Sequence, residues 1–227
     1  IATAFTTHAT YLGRAISGNG LALYNDLATF EPNAMANRFN ITSQQSMEYN
    51  AAQNADAFTT VSEVTAEECK QFLHREADVI TINGINESYV VDEKLAAEKR
   101  KTSREKILNV LETLSGTKVS DEAFLVVNSG RYEFKNKGID LFINALGKLN
   151  REGNLKKDVV AVIAVPANIS GVYKELEYRL EGKREVNGHT ELPCTHHIFG
   201  FEHDAVLNLL RENGLQNNEN DKVKVMF

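Results

Sequence analysis

The sequence has no apolar run approaching the roughly 18 residues that a membrane-spanning helix needs. Its first residues, IATAFTTHAT, lack the basic start and long apolar stretch of a secretory signal. Neither a membrane partner nor export is expected, and a cytoplasmic location follows. Cysteine is scarce: Cys69 and Cys194 stand far apart and outside any CxxC spacing. That excludes a disulfide framework or a thiolate zinc site and leaves two ordinary thiols. Positive charge is not in excess, and the formal net charge of −6 excludes a broad nucleic-acid-binding face while allowing a local basic pocket. No internal repeat or low-complexity tract is visible, although residues 182–193 and 216–221 are polar and read as mobile loops.

What is present suits a globular protein: 227 residues, 42% hydrophobic and 25% charged, enough for one large domain or two small ones. Residues 2–7, 57–62, 78–83, 123–129, 158–165 and 222–227 predict short strands. Most are nearly continuous apolar runs, the pattern of strands covered on both faces of a parallel sheet. Helical spacing occupies 42–54, 64–75, 93–114, 138–151 and 203–213, so the fold class is α/β. In the fourth of these, Ile139, Phe142, Ile143, Leu146 and Leu149 form one apolar stripe facing the core. The turn residues Asn83, Gly84, Ile85 and Asn86 precede a Lys/Glu-rich stretch, which places a domain boundary between 1–86 and 87–227. The chain opens on one core strand and stops at Phe227, in or at the end of another. Such strands normally have neighbours, so a piece of a longer protein is expected.

Two segments can carry chemistry. In VNSGRYEFKNKGID (127–140) a strand ends at Ser129 and Gly130, passes through a cationic loop and enters a helix near Gly138. Open α/β sheets bind ligands beyond the carboxyl ends of their strands, and a helix N-terminus offers backbone N–H groups to an anion. The planar fork of Arg131 and the compact charge of Lys137 suit a diphosphate. Lys135 reads as a bystander and Glu133 as a partner that orients Arg131. By spacing alone, a solvated basic turn is an equal reading. In FTTHATYLGR (5–14) a strand runs into a turn carrying His8 and a helix carrying Arg14. There the imidazole can hydrogen-bond sugar hydroxyls and Arg14 can reach anionic groups, although a structural histidine is the commoner occupant of such a place. His196 and His197 are adjacent, so in a strand they point to opposite faces, and no further ligand accompanies them; no metal is expected. Asn168, Ile169 and Ser170 form a glycosylation tripeptide that an intracellular chain does not expose to that machinery, and the segment reads as a loop.

FTTHATYLGR, LYNDL, NRFNI, AAQNADAFTTVSEVTAEE, NGIN, SGRYEFKNKGIDLFINAL, LRENGL and DKVKVMF follow one another along most of the chain. Together they resemble the glycogen synthases of the animal and fungal type, glycosyltransferase family 3, with their bacterial relatives. RYEFKNKG is the most specific stretch. The resemblance implies a GT-B architecture, parts of two Rossmann-like domains facing across a cleft that closes during turnover. It implies a retaining transfer of glucose from a nucleotide sugar, UDP-glucose or ADP-glucose, to the non-reducing end of an α-1,4-glucan acceptor, without a further cofactor. A homo-oligomer assembled through helices such as 93–114 is also implied. Arg131 and Lys137 match the family's donor-phosphate ligands, and His8 and Arg14 its residues near the transferred glucose.

The sequence departs from the family pattern in lacking both a KTGGL-like amino-terminal loop and an EPWGYTP-like carboxyl-terminal segment with its glutamates, so the piece is expected to be inactive alone. The link after NGIN is short, and Ile82 stands where the family carries proline. Two other readings remain: a non-catalytic nucleotide-sugar-binding or assembly module, and a starch-synthase-like or sucrose-synthase-like GT-B transferase, against which RYEFKNKG argues.

Overall fold

The computed structural model describes residues 1–183 and 193–227, which form two compact units, Ile1–Val90 and Val91–Phe227. The polar loop expected over 182–193 lies, apart from its ends, outside the described residues.

In unit 1, β1 (Ala4–Thr7), β2 (Ala57–Thr60) and β3 (Val79–Ile80) form a parallel sheet in that order. Its register sets Phe5 opposite Phe58, whose rings stack 5.7 Å apart, and Thr6 opposite Thr59, whose hydroxyls share a 2.7 Å hydrogen bond. The helices are α1 (Tyr11–Gly18), α2 (Pro32–Arg38), α3 (Thr42–Asn54) and α4 (Glu63–Leu73). Each start has a local cause. The Thr10 and Ser62 hydroxyls accept from the third backbone N–H beyond them, and Glu31 accepts from Asn33 and Ala34 ahead of Pro32. Leu12 and Ile16 of α1 pack with Leu23, Met35 and Phe72; Ala52, Phe58, Cys69 and Leu73 form a second cluster.

Unit 2 holds α5 (Glu93–Ser115), β4 (Phe124–Ser129), α6 (Ile139–Glu152), β5 (Val159–Ala164), β6 (Ile169–Val172), α7 (Lys174–Leu180), β7 (His196–Ile198), α8 (Ala205–Glu212) and β8 (Val223–Met226). β4, β5 and β8 make a parallel sheet in that order, and β6 pairs antiparallel with β7. The period-2 alternation of β5 divides its side chains between two layers. Val159, Ala161 and Ile163 meet Ile139, Ile143 and Leu146 of α6 and Val206, Leu207 and Leu210 of α8, whereas Val160 meets Leu108 and Leu111 of α5. β5 is therefore covered on both faces, as its apolar run predicts.

Four expectations need correction. The strand expected over 78–83 shrinks to two residues with Val79 and Ile80 exposed, because β3 pairs only with β2 among the described residues. Phe124 and Val127 of β4 are likewise exposed despite their apolar run. Leu149, at the end of the α6 stripe, is exposed. The segment read as a loop around Asn168 is strand β6, bent at Gly171 (φ 139) where its register with β7 shifts. Helices α2 and α7 carry too few turns for periodicity to announce them.

Candidate functional site

The loop between β4 and α6 is built by alternation. In Arg131-Tyr132-Glu133-Phe134, Tyr132 and Phe134 pack against the unit 2 core while Arg131 stays exposed. The Tyr132 hydroxyl donates to Asp204 Oδ2 (2.8 Å) and accepts from the Val206 N–H (3.2 Å), tying the loop to the start of α8. Burial pushes that phenol well above its ordinary range. Gly130 has φ 152 and Gly138 φ 62, conformations that suit glycine and let the chain leave the strand and enter the helix sharply. A side chain at Gly130 would meet the aliphatic stem of Lys137, with Cδ 3.8 Å from the new Cβ, so Lys137 lies over the end of β4.

The three cations of the loop differ. Lys135 pairs with Asp140 at 2.6 Å, which makes it structural. Arg131 Nε pairs with Glu133 Oε1 at 2.9 Å. Lys137 is exposed and forms no ion pair among the described residues. Asn128, which sequence reasoning passed over, donates through Nδ2 to the Lys137 carbonyl (3.4 Å) and so links strand to loop. The helix N-terminus is less open than expected: the Ile139 and Asp140 N–H groups both turn onto the Phe134 carbonyl (3.1 and 3.4 Å). The exposed donors left at the carboxyl end of β4 are the side chains of Arg131 and Lys137.

In unit 1, His8 lies exposed in the turn between β1 and α1, and Arg14 lies half-buried in α1. Two carboxylates that the sequence did not single out support this turn. Glu68, buried, accepts from Thr10 Oγ1 and from the Tyr24 hydroxyl, both at 2.8 Å. Burial, with that hydrogen bond and charge, pushes the Tyr24 phenol up to about 12. Glu48 of α3 accepts from the Tyr11 N–H at 2.8 Å. Burial raises the Glu48 carboxyl above the usual carboxylate range, against the opposing pull of the Tyr11 N–H and the Arg14 charge. Glu48 and Glu68 thus anchor the first turn of α1, the segment that carries Arg14. Isolated glutamates on polar helices give no one-dimensional signal for this.

No group of three or more His, Cys, Asp or Glu side chains among the described residues is placed to hold a metal ion. His196 Nδ1 shares a 2.8 Å hydrogen bond with Thr195 Oγ1, and the His197 ring meets Tyr173 edge-on at 4.0 Å. Both cysteines are buried and free, and burial pushes the Cys69 thiol up to about 12. No helix among the described residues is long and apolar enough to cross a membrane.

The model of the glycogen synthase family matches residues 1–176. The glycogen [starch] synthase of Caenorhabditis elegans is 31% identical over 284 aligned residues, covering 100% of this chain and 42% of that enzyme. Isoform 2 from Saccharomyces cerevisiae is 36% identical over 194 residues, 82% of this chain and 27% of its own length. The Dictyostelium discoideum enzyme is 34% identical over 178 residues, 74% of this chain and 20% of its own. The chain thus spans less than half the length of the curated relatives it matches. Because the worm alignment runs over more positions than this chain has residues, the worm enzyme carries residues within the matched span that are absent here.

Proposed function

The chain belongs to the glycogen synthase family, and from that membership we propose that it is a piece of a retaining glucosyltransferase that extends an α-1,4-glucan from a nucleotide sugar. The observation that carries this reading is the family match over residues 1–176, which takes in the exposed cations at the carboxyl end of β4. Arg131 and Lys137 hold the donor diphosphate. Charge grows on the leaving diphosphate as the glucosyl bond breaks, so cations placed there stabilise the transition state more than the ground state. The Glu133 ion pair uses Arg131 Nε and presets the guanidinium, whose terminal nitrogens take phosphate oxygens. His8 and Arg14 are assigned by the family resemblance to the transferred glucose, with Glu48 steadying the turn of α1 from which Arg14 projects. UDP-glucose is the donor expected ahead of ADP-glucose, and the segments 1–86 and 87–227 expected from the sequence are the two domain portions, four residues from the division between units 1 and 2 at Val90.

The test is calorimetric titration of this chain and its Arg131→Ala and Lys137→Ala variants with UDP, UDP-glucose and ADP-glucose. Each variant is expected to bind the preferred nucleotide about tenfold or more weakly, the loss typical of a charged hydrogen bond to phosphate. Equal affinity in wild type and both variants would remove the phosphate assignment, and the nucleotide bound most tightly identifies the donor.

A further inference from the structure

The chain contains four Asn-Gly steps, beginning at Asn19, Asn83, Asn187 and Asn213. In such a step the asparagine amide lies within reach of the next backbone nitrogen. Glycine, with no Cβ, leaves that nitrogen unshielded and the backbone free to turn towards the side chain. Whether the two groups react depends on what the fold already binds to them, because an N–H or amide held in a hydrogen bond must give that bond up first. Asn187 lies outside the described residues, and the structure separates the other three.

Asn19 ends α1. Its Nδ2 donates to the Ala15 carbonyl at 2.8 Å, and the Gly20 N–H donates to the Ser17 carbonyl at 2.9 Å. Asn213 ends α8 and is buried. Its Nδ2 donates to Asn144 Oδ1 (3.0 Å) and the Leu209 carbonyl (3.1 Å), while the Gly214 N–H donates to the Arg211 carbonyl (3.0 Å). At both steps the amide and the nitrogen are occupied.

At Asn83 and Gly84 neither group has a partner among the described residues. The last backbone tie of β3 is the Thr81 N–H on the Thr60 carbonyl (2.7 Å), and the next along the chain is the Tyr89 N–H on the Asn86 carbonyl (3.0 Å). Asn83 and Gly84 are exposed, as are their neighbours Ile82 (82%) and Ile85 (76%). A Cβ added at Gly84 would meet nothing within 4 Å, so the segment has room to bend into a ring-forming geometry.

We propose that Asn83 is a site of spontaneous deamidation, left open by the fold while Asn19 and Asn213 are closed. The Gly84 nitrogen forms a bond to Asn83 Cγ, the Cγ–Nδ2 bond breaks, and ammonia leaves carrying the Gly84 amide proton. Water then opens the resulting succinimide, and nothing is oxidised or reduced. Addition of water at Cγ gives aspartate; addition at the Asn83 backbone carbonyl gives isoaspartate, whose main chain runs through Cβ and Cγ. Either product adds a carboxylate that is ionised at neutral pH. Isoaspartate also lengthens, by a methylene, the stretch that joins β3 to α5.

The experiment incubates the folded chain in mildly alkaline buffer and follows each Asn-Gly peptide over time by mass spectrometry, with an isoaspartate-specific methyltransferase to detect the rearranged product. Asn83 is expected to be converted while Asn19 and Asn213 stay intact, and in urea all three should be converted at similar rates. Gly84→Ala, whose methyl fits the open space yet shields the attacking nitrogen, should fold as the wild type does and lose the conversion at Asn83. An Asn83 that stays intact in the folded chain overturns the proposal, as does conversion of Asn19 or Asn213 at the same rate. Undiminished conversion in Gly84→Ala overturns the cyclic route.

Discussion

Gly13 shows how a single hydrogen atom in place of a side chain shapes unit 1. A Cβ at this position would run into the Glu68 carboxylate and come within 2.7 Å of Thr10 Oγ1. Glycine is required here for close approach, and its φ plays no part. Gly13→Ala is expected to destabilise the unit by about 2 kcal/mol, in the range of overpacked core substitutions, read as a lower urea midpoint. Gly84→Ala, where an added Cβ meets nothing within 4 Å, should stay within about 0.5 kcal/mol of wild type. The sequence displays Gly13 inside a helical pattern but not the carboxylate 55 positions later that explains it. Arg131 and Lys137 were legible because loop chemistry is written in contiguous residues. Glu48 and Glu68 were not, since their partners Tyr11, Thr10 and Tyr24 lie on other elements.

At the scale of elements, Tyr132 joins the β4–α6 loop to α8. Tyr132→Phe removes the bond to Asp204 and leaves the Val206 N–H without its acceptor. About 1–2 kcal/mol of stability should be lost, with faster hydrogen exchange at Val206 as the specific sign that the start of α8 has loosened. Asp204 retains its own capping bond from the Leu207 N–H (2.9 Å), so α8 itself should persist. Elements with strong period or continuous apolar runs, such as α6 and β5, were read from sequence with ends shifted by a residue. Helices α2 and α7 and strand β6 escaped because each is seven residues or shorter and draws its definition from neighbours. Gly171, the residue after the tripeptide read as a loop, marks a bend inside a strand.

For the molecule as a whole, acid should weaken the fold through carboxylates tied to backbone. The Phe58 N–H, with the Arg75 charge, holds the Asp78 carboxyl below its usual range, and the Thr3 N–H and hydroxyl do the same for Asp56. A carboxyl lowered on folding contributes stability above its unfolded pKa and loses it as pH falls towards the folded one. Glu48, raised by burial, works in the opposite sense. The melting temperature is therefore expected to fall as the pH drops below about 5, and to fall less in Asp78→Asn, as a pH series of thermal melts would show; parallel curves would deny Asp78 that role. By itself the sequence determined the α/β class, the family, the buried central strand and the cationic loop, because period, apolar runs and a contiguous motif are local properties. Only the tertiary structure decided which cations are already paired, which glutamates hold the turn before Arg14, and why Gly13 must lack a side chain. Those depend on distances between residues remote in the chain, which folding alone sets.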